Sequence, residues 1–190
     1  MNDTMTSKER LLLESFLRCS DNYLEFGCGA STVIAANLVG TSVTAIDSSQ
    51  AWIDEVAKTC AEQSTKIVPR LVHVDIGPIG NWGTPTDPNT SAQWPAYYER
   101  IWEEPDTAKS DLFLVDGRFR IACFMMILLN CEEGSTVLIH DYDYRPKYHV
   151  IEQVADQISV AGNLSAFRLL RGDFRASART ILKEFCLDPD

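Results

Sequence analysis

The stretch Asn22-Tyr-Leu-Glu-Phe-Gly-Cys-Gly-Ala-Ser-Thr32 decides the fold of this 190-residue chain. Its first five residues predict a buried strand, Gly27 to Gly29 predict a tight turn, and a helix is predicted to open at Ser31. A strand that turns on glycines into a helix brings backbone N–H groups and the positive end of a helix dipole to one point. Such a point can hold part of a nucleotide-like or zwitterionic ligand. Glu25 would repel a phosphate there and would suit a ligand that carries a cationic amine.

The composition excludes several classes of protein. The chain is 45% hydrophobic and 23% charged, which is typical of one globular domain of this length. Its formal charge is −10, and an acidic surface disfavours nucleic acid and anionic membranes as partners. The longest apolar run, Ile121 to Leu129, is too short to span a bilayer, and the polar N-terminus does not resemble a signal peptide. We therefore expect a cytoplasmic protein that binds neither nucleic acid nor membrane.

Strand and helix patterns alternate along the rest of the chain. Six further strands are predicted at 42–46, 66–74, 111–115, 135–139, 164–170 and 179–185, and helices at 7–19, 31–40, 50–63, 120–131 and 148–160. This alternation is typical of an α/β fold, here a single domain with a mostly parallel seven-stranded sheet and helices on both faces. Gly172 and Asp173 lie close to the last predicted strand, which favours a terminal hairpin with an antiparallel C-terminal strand.

Residues 77–109 differ in character from the rest of the chain. They hold five of the eight prolines and three of the four tryptophans. A long connection of this kind in a compact domain is usually functional or disordered, and the tryptophans argue against disorder. We predict that this Trp/Pro-rich insertion in the domain 1–190 is a lid, with a short helix at 96–102 and with Trp82 or Trp94 at the substrate. The alternative is that the segment packs on the edge of the sheet as a satellite core.

Five successive strands end in a glycine turn or an acidic residue: Gly27-Cys-Gly29, Asp47, Asp75, Asp116 and His140-Asp141. Open parallel sheets bind ligands at the carboxyl ends of their strands, so we expect one site along this edge. A dinucleotide would require G-x-G-x-x-G, and Thr32 stands at the third glycine. Asp47 could accept hydrogen bonds from ribose hydroxyls of either cofactor. Glu25 favours an aminoacyl group over a pyrophosphate.

These residues resemble a known family. Glu25-x-Gly27-x-Gly29, Asp47, Asp75 and Val115-Asp116-Gly117 resemble, in order and spacing, the first four motifs of the class I S-adenosylmethionine-dependent methyltransferases. The resemblance implies a Rossmann-like methyltransferase domain with S-adenosyl-L-methionine as its cofactor. It implies that the turn packs against the methionine portion and ribose, that Asp47 holds the ribose hydroxyls and that Asp75 meets the adenine amine. Asp116 would lie near the methionine amine or the substrate.

Two details refine the resemblance. Ser31 stands where many members have a third glycine, and we count it with the cofactor-binding residues. Four shorter motifs resemble a bacterial subgroup of the superfamily whose substrate is unassigned: Asp75-Ile-Gly-Pro, Asn81-Trp-Gly, Asp116-Gly-Arg-Phe-Arg120 and His140-Asp-Tyr.

Methyl transfer from a sulfonium is an in-line displacement, so the main task of the protein is positioning. A general base helps only where the acceptor must lose a proton. The candidates at the strand ends are Asp116, His140 and Asp141, of which we favour His140. Its alternative role is to hydrogen-bond backbone at a strand end. Catechol-type O-methyltransferases place metal-binding carboxylates at the strand ends that Asp116 and Asp141 occupy, but Tyr142 replaces their third ligand, so we predict no metal.

Two arginines follow strand ends and are candidate substrate-binding residues. Arg118 and Arg145 could clamp a carboxylate or phosphate, and the alternative is an ion pair with one of the 27 acidic residues. We therefore expect a small-molecule acceptor that is anionic or aromatic. The helix predicted at 120–131 is apolar almost all round, so its outer face needs a cover. Either the C-terminal segments or a second subunit supplies it, and we favour a homodimer.

Two other functions stay open at this point. A non-catalytic module that binds S-adenosylmethionine as a sensor or partner subunit would retain the same acidic residues. A nicotinamide-dependent oxidoreductase is disfavoured by Thr32, and Tyr144-Arg-Pro-Lys147 does not offer the catalytic Tyr-x-x-x-Lys spacing.

Overall fold

The computed structural model describes residues 5–131, 134–169 and 174–190. Its centre is a seven-stranded sheet in the order β3-β2-β1-β4-β5-β7-β6. The strands are β1 Asn22–Phe26, β2 Ser42–Asp47, β3 Arg70–His73, β4 Leu112–Val115, β5 Thr136–Ile139, β6 Ala155–Ala161 and β7 Leu164–Leu169. The first five are parallel, whereas β7 runs antiparallel to both β5 and β6. The predicted fold class is confirmed.

Helices cover both faces of the sheet. They are α1 Ser7–Leu17, α2 Ala30–Leu38, α3 Gln50–Glu62, α4 Ala96–Glu99, α5 Arg120–Asn130 and α6 Arg175–Phe185. Successive side chains of a strand point to opposite faces, so Tyr23 of β1 packs with α1 and α2, and Leu24 packs with α5. Thr6 starts α1 through a capping box with Glu9. Within the described residues, we find no helix with the length and apolar character needed to cross a membrane.

The apolar helix α5 is covered by the same chain. Ala178 and Ile181 of α6 are buried in the core cluster that contains α5, and Leu182 and Phe185 pack against it. The C-terminal segment therefore supplies the cover, which removes the reason for expecting a second subunit. The homodimer stays an untested prediction.

Two predicted elements of the last third are wrong. The helix predicted at 148–160 is a 3₁₀ helix, Pro146–Gln153, followed by strand β6, because pairing with β7 outweighs the helical spacing of its apolar residues. The strand predicted at 179–185 belongs to α6, whose buried Ala178 and Ile181 lie three residues apart and face α5. The described hairpin joins β6 to β7 through Gly162, with φ +57°. The hairpin predicted near Gly172 and Asp173 lies outside the described residues.

The connection between β3 and β4 packs partly into the main core, and most of its residues are exposed or half-buried. It contains α4 and the 3₁₀ helices Asn81–Gly83, Pro88–Gln93, Arg100–Glu103 and Thr107–Lys109, so a short helical stretch does occur near 96–102. Tyr97, Tyr98 and Ile101 are buried in the main core. Only residues 79–85, which we call the tip loop, turn back on themselves: Ile79 pairs with Pro85 in an isolated bridge.

Candidate active site

The glycine turn after β1 lies directly against the end of β4. Gly27 has φ +97°, and a Cβ there would meet the Cα of Gly117 at 2.5 Å, so only glycine fits. The space beside Gly29 is open, because a Cβ there would lie 3.9 Å from Nε1 of Trp52 and 4.0 Å from Oγ of Ser31. No described atom crowds that position, and α2 begins at the next residue. A ligand can therefore approach the backbone at Gly29 and at the start of α2.

Glu25 lies beneath this turn and is fully buried. Its carboxylate accepts hydrogen bonds from the hydroxyls of Tyr23 (2.9 Å), Ser31 (2.5 Å) and Thr32 (3.2 Å). Burial raises the pKa of Glu25 to about 8, although these hydroxyl bonds act in the opposite direction. The oxygens of Glu25 thus order the first turn of α2. Its predicted contact with the amine of a ligand stays a prediction.

Asp47 is the last residue of β2, and Asp75 follows β3 at the same edge. The carboxylate of Asp47 accepts hydrogen bonds from the backbone N–H groups of Cys28 (3.1 Å) and Ser49 (2.8 Å). Burial raises the pKa of Asp47. Asp75 is exposed and accepts a hydrogen bond from the N–H of Gly77 at 2.9 Å. Asp47 is therefore fixed against the glycine turn, while Asp75 lies at the rim.

The ends of β4 and β5 hold Asp116 and Asp141, and a single guanidinium joins them. Arg120, whose side chain is 3% exposed, donates to Oδ2 of Asp141 at 2.9 Å and lies 3.3 Å from Oδ1 of Asp116. Its Nε donates to the carbonyl of Gly117 at 3.0 Å, and it also donates to the carbonyl of His140. One guanidinium thus bridges the two carboxylates within the chain.

The acidic residues at β4 and β5 do not fit a divalent metal. Asp116, His140 and Asp141 can bring three ligand atoms within 4.8 Å of one another. The guanidinium of Arg120 already bridges the two carboxylates, and a second cation there would be repelled by it. We therefore assign no chemistry in this site to a metal.

His140 is placed behind Asp116. Its Nδ1 lies 3.1 Å from Oδ1 of Asp116, and its Nε2 lies 3.9 Å from the carboxylate of Glu9. Burial lowers the pKa of His140, but the hydrogen bond and charge of Asp116 and the charge of Asp141 outweigh it, so the net pKa is raised. The Asp116 side chain is the more accessible of the pair, at 20% exposed against 10%. A bound molecule would therefore meet Asp116 before His140.

The four predicted substrate-binding residues lie in different surroundings. The Arg118 side chain is 11% exposed, and its Nη1 lies 3.4 Å from Oγ1 of Thr84 in the tip loop. Arg145 lies 3.5 Å from Asp141 and donates to the hydroxyl of Tyr148. Thus Arg145 is committed to neighbours, and Arg118 is held only loosely.

The two tryptophans differ even more. Trp82 sits at the turn of the tip loop with φ +59° and is 78% exposed. Trp94 packs on Phe119, with ring centroids 5.9 Å apart, and donates to Oγ1 of Thr90. Trp94 therefore matches the alternative of core packing, whereas Trp82 remains free to meet a ligand.

Sequence reasoning assigned no role to three residues that shape the site. Trp52 donates from its indole to the carbonyl of Cys28 beside the glycine turn. The buried hydroxyl of Tyr97 lies 3.4 Å from the N–H of Arg118. Arg120 follows Asp116 by four residues and is the first residue of α5. Trp52 and Arg120 each lie within five residues of a strand end. This position in the sequence is the signal by which both could have been identified.

Comparison with known proteins identifies the fold. No model of a known protein family matches the chain, and no curated protein matches it. A methyltransferase-like protein from Silicibacter pomeroyi is similar to it with a TM-score of 0.90 and 29% identity, over 99% of this chain and 98% of that one. The O-methyltransferase TomG from Streptomyces achromogenes is involved in tomaymycin synthesis and was solved with S-adenosylmethionine. It has a TM-score of 0.61 and 16% identity, over 89% of this chain and 82% of that one. An O-methyltransferase from Bacillus cereus, solved with S-adenosylhomocysteine, has a TM-score of 0.57 and 13% identity, over 87% of this chain and 82% of that one. The chain therefore has the class I fold of the S-adenosylmethionine-dependent methyltransferases, and its structural neighbours are methyltransferases of that superfamily.

Proposed function

We propose that this protein is an S-adenosylmethionine-dependent methyltransferase that acts on a small molecule. The observation that carries the proposal is the hydrogen bond from the N–H of Cys28 to Asp47, which fixes an acidic residue after β2 against the glycine turn after β1. A turn with room above Gly29 suits an aminoacyl group, and a neighbouring carboxylate suits ribose hydroxyls. The likeness over nearly the whole chain to a methyltransferase-like protein supports the proposal.

The cofactor-binding residues are those on the β1 and β2 side of the edge. Gly27, Gly29 and Ser31 would hold the aminoacyl part, Asp47 the ribose and Asp75 the adenine. When bound, S-adenosylmethionine supplies a methyl group on a sulfonium. Holding two reactants in line can contribute on the order of 7–11 kcal/mol to lowering the barrier.

The acceptor belongs on the β4 and β5 side. Where the acceptor must lose a proton, Asp116 is the first group to receive it, and His140, at 3.1 Å, is the second. Arg120 and Asp141 hold these two residues in position. The tip loop, with Trp82, would close the acceptor side.

Calorimetry with S-adenosylhomocysteine and with NAD tests the cofactor assignment. We expect S-adenosylhomocysteine to bind and NAD not to bind. Asp47→Asn should weaken binding by about tenfold to a hundredfold, since a charged hydrogen-bonding group contributes about 1.5–3 kcal/mol. Asp156→Asn, on the exposed edge strand β6, is the matched control and should bind as the wild type does. Binding of NAD without binding of the thioether would refute the proposal.

A further inference from the structure

The side chain of Arg118 is 11% exposed, and its guanidinium has few partners among the described residues. Its Nη1 lies 3.4 Å from Oγ1 of Thr84 and 3.9 Å from Oδ1 of Asp190. Its Nε is buried and has no hydrogen-bond partner among the residues that the structure describes. Burying polar groups in this condition costs free energy, which a bound group with several acceptor oxygens would offset.

The carboxylates at the ends of β4 and β5 are engaged by arginines other than Arg118. Arg145 lies 3.5 Å from Asp141 and donates to the hydroxyl of Tyr148. The nearby acids, Asp116 and Asp141, are both engaged by Arg120. Among the ion pairs of the described residues, Arg118 therefore has only the carboxylate of Asp190, at 3.9 Å.

Arg118 also lies where an acceptor would have to bind. It follows Gly117, and a Cβ on Gly117 would meet the Cα of Gly27 at 2.9 Å, so Arg118 is one residue from the glycine turn. On its other side, a Cβ on Gly83 of the tip loop would lie 3.9 Å from Cγ of Arg118. The guanidinium thus stands between the proposed donor site and the tip loop.

An acidic segment of the chain already approaches this cation. Lys147 donates to both carboxylate oxygens of Asp188, at 2.9 and 3.0 Å, and lies 3.9 Å from Asp190. Phe119 donates its backbone N–H to the carbonyl of Pro189. Asp190 is therefore held near Arg118, but its side chain is 64% exposed and 3.9 Å away, which is too loose to satisfy the guanidinium.

We propose that Arg118 binds an oxyanion of the methyl acceptor, a carboxylate or a phosphate, and that the side chain of Asp190 occupies the approach to this subsite. The inference rests on the proposed function, because the oxyanion belongs to the molecule that receives the methyl group. A planar guanidinium binds such a group through two parallel N–H bonds. An incoming oxyanion would displace the carboxylate of Asp190.

The test is a calorimetric titration of the S-adenosylhomocysteine complex with benzoate and, separately, with inorganic phosphate, at constant ionic strength. We expect one saturable site for at least one of these probes, and the tighter probe identifies the oxyanion. Arg118→Met should weaken that binding by about tenfold or more, with Arg118→Lys in between. Asp190→Asn should tighten it by about two- to fivefold. Arg70→Met is the matched control. Arg70 is the first residue of β3, at the edge of the sheet opposite to the proposed site, and it pairs with Glu104.

The outcomes separate this inference from the proposed function. Equal binding by wild type and Arg118→Met, in folded protein checked by circular dichroism, would overturn the inference. So would the absence of any saturable anion site in a protein that binds S-adenosylhomocysteine. Failure to bind S-adenosylhomocysteine would refute the proposed function instead, and the same anion titration without it would still report on Arg118.

Discussion

Arg118 and Arg120 leave the same strand end, and their surroundings are opposite. The Arg120 guanidinium contacts two carboxylates and three backbone carbonyls that lie on neighbouring strand ends. Arg118 has one weak hydrogen bond and a distant carboxylate. Phe119, between them, has φ +53°, which turns the chain so that the two side chains part. A buried cation whose partners lie in the chain holds a site together, whereas a buried polar atom without a partner needs an explanation, which for Arg118 is the proposed anion.

Replacing Arg120 should have the largest effect. Arg120→Met removes the cation that bridges Asp116 and Asp141 in a mostly buried site, and breaking a buried pair in this way costs about 3–5 kcal/mol of unfolding free energy. Urea denaturation measures it. Arg70→Met, which removes a half-exposed pair, should cost about 1 kcal/mol or less. Equal losses in the two variants would mean that Arg120 does not organise the site.

The same variant offers a second test. Without the guanidinium, Asp116, His140 and Asp141 become a set of ligand atoms that a divalent ion can bridge. Mg²⁺ or Mn²⁺ should therefore raise the melting temperature of Arg120→Met and leave that of the wild type unchanged. If the ion stabilises the wild type to the same extent, the guanidinium of Arg120 does not keep a divalent ion away from these residues.

Replacing Arg118 should have a much smaller effect on stability. Arg118→Met removes a cation whose Nε has no partner in the described part of the chain, so the unfolding free energy should change by about 1 kcal/mol or less in either direction. The same urea experiment gives the value. A loss as large as that of Arg120→Met would show that Arg118 is structural.

A pH profile gives the smallest effect. The pKa of His140 is raised by Asp116 and Asp141, so its stabilising contribution is complete below its ordinary pKa of 6.5 and is lost as the pH rises through the higher folded value. The unfolding free energy of the wild type, relative to His140→Gln, should therefore fall as the pH rises above 6.5. If the difference in unfolding free energy between the wild type and His140→Gln does not vary with pH, the pKa of His140 is not raised in the folded protein.

How much the sequence could predict depends on how local each feature is. The strand ends at Asp47, Asp116 and His140-Asp141 were predictable, because each follows a short buried strand directly. The element 148–160 was not, because its apolar residues have helical spacing and only the partner strand β7 makes it a strand. The same limit applies to the site. That Arg120 joins two strand ends depends on packing between segments that the sequence does not place.

A crystal structure of the protein with S-adenosylhomocysteine and the tighter of the two anions would test the account most directly. We predict the aminoacyl part at Gly29 and Ser31, the ribose at Asp47, and the anion on Arg118, with Arg120 still bridging Asp116 and Asp141. A thioether bound away from the glycine turn, or an anion bound to Arg120 instead of Arg118, would contradict it.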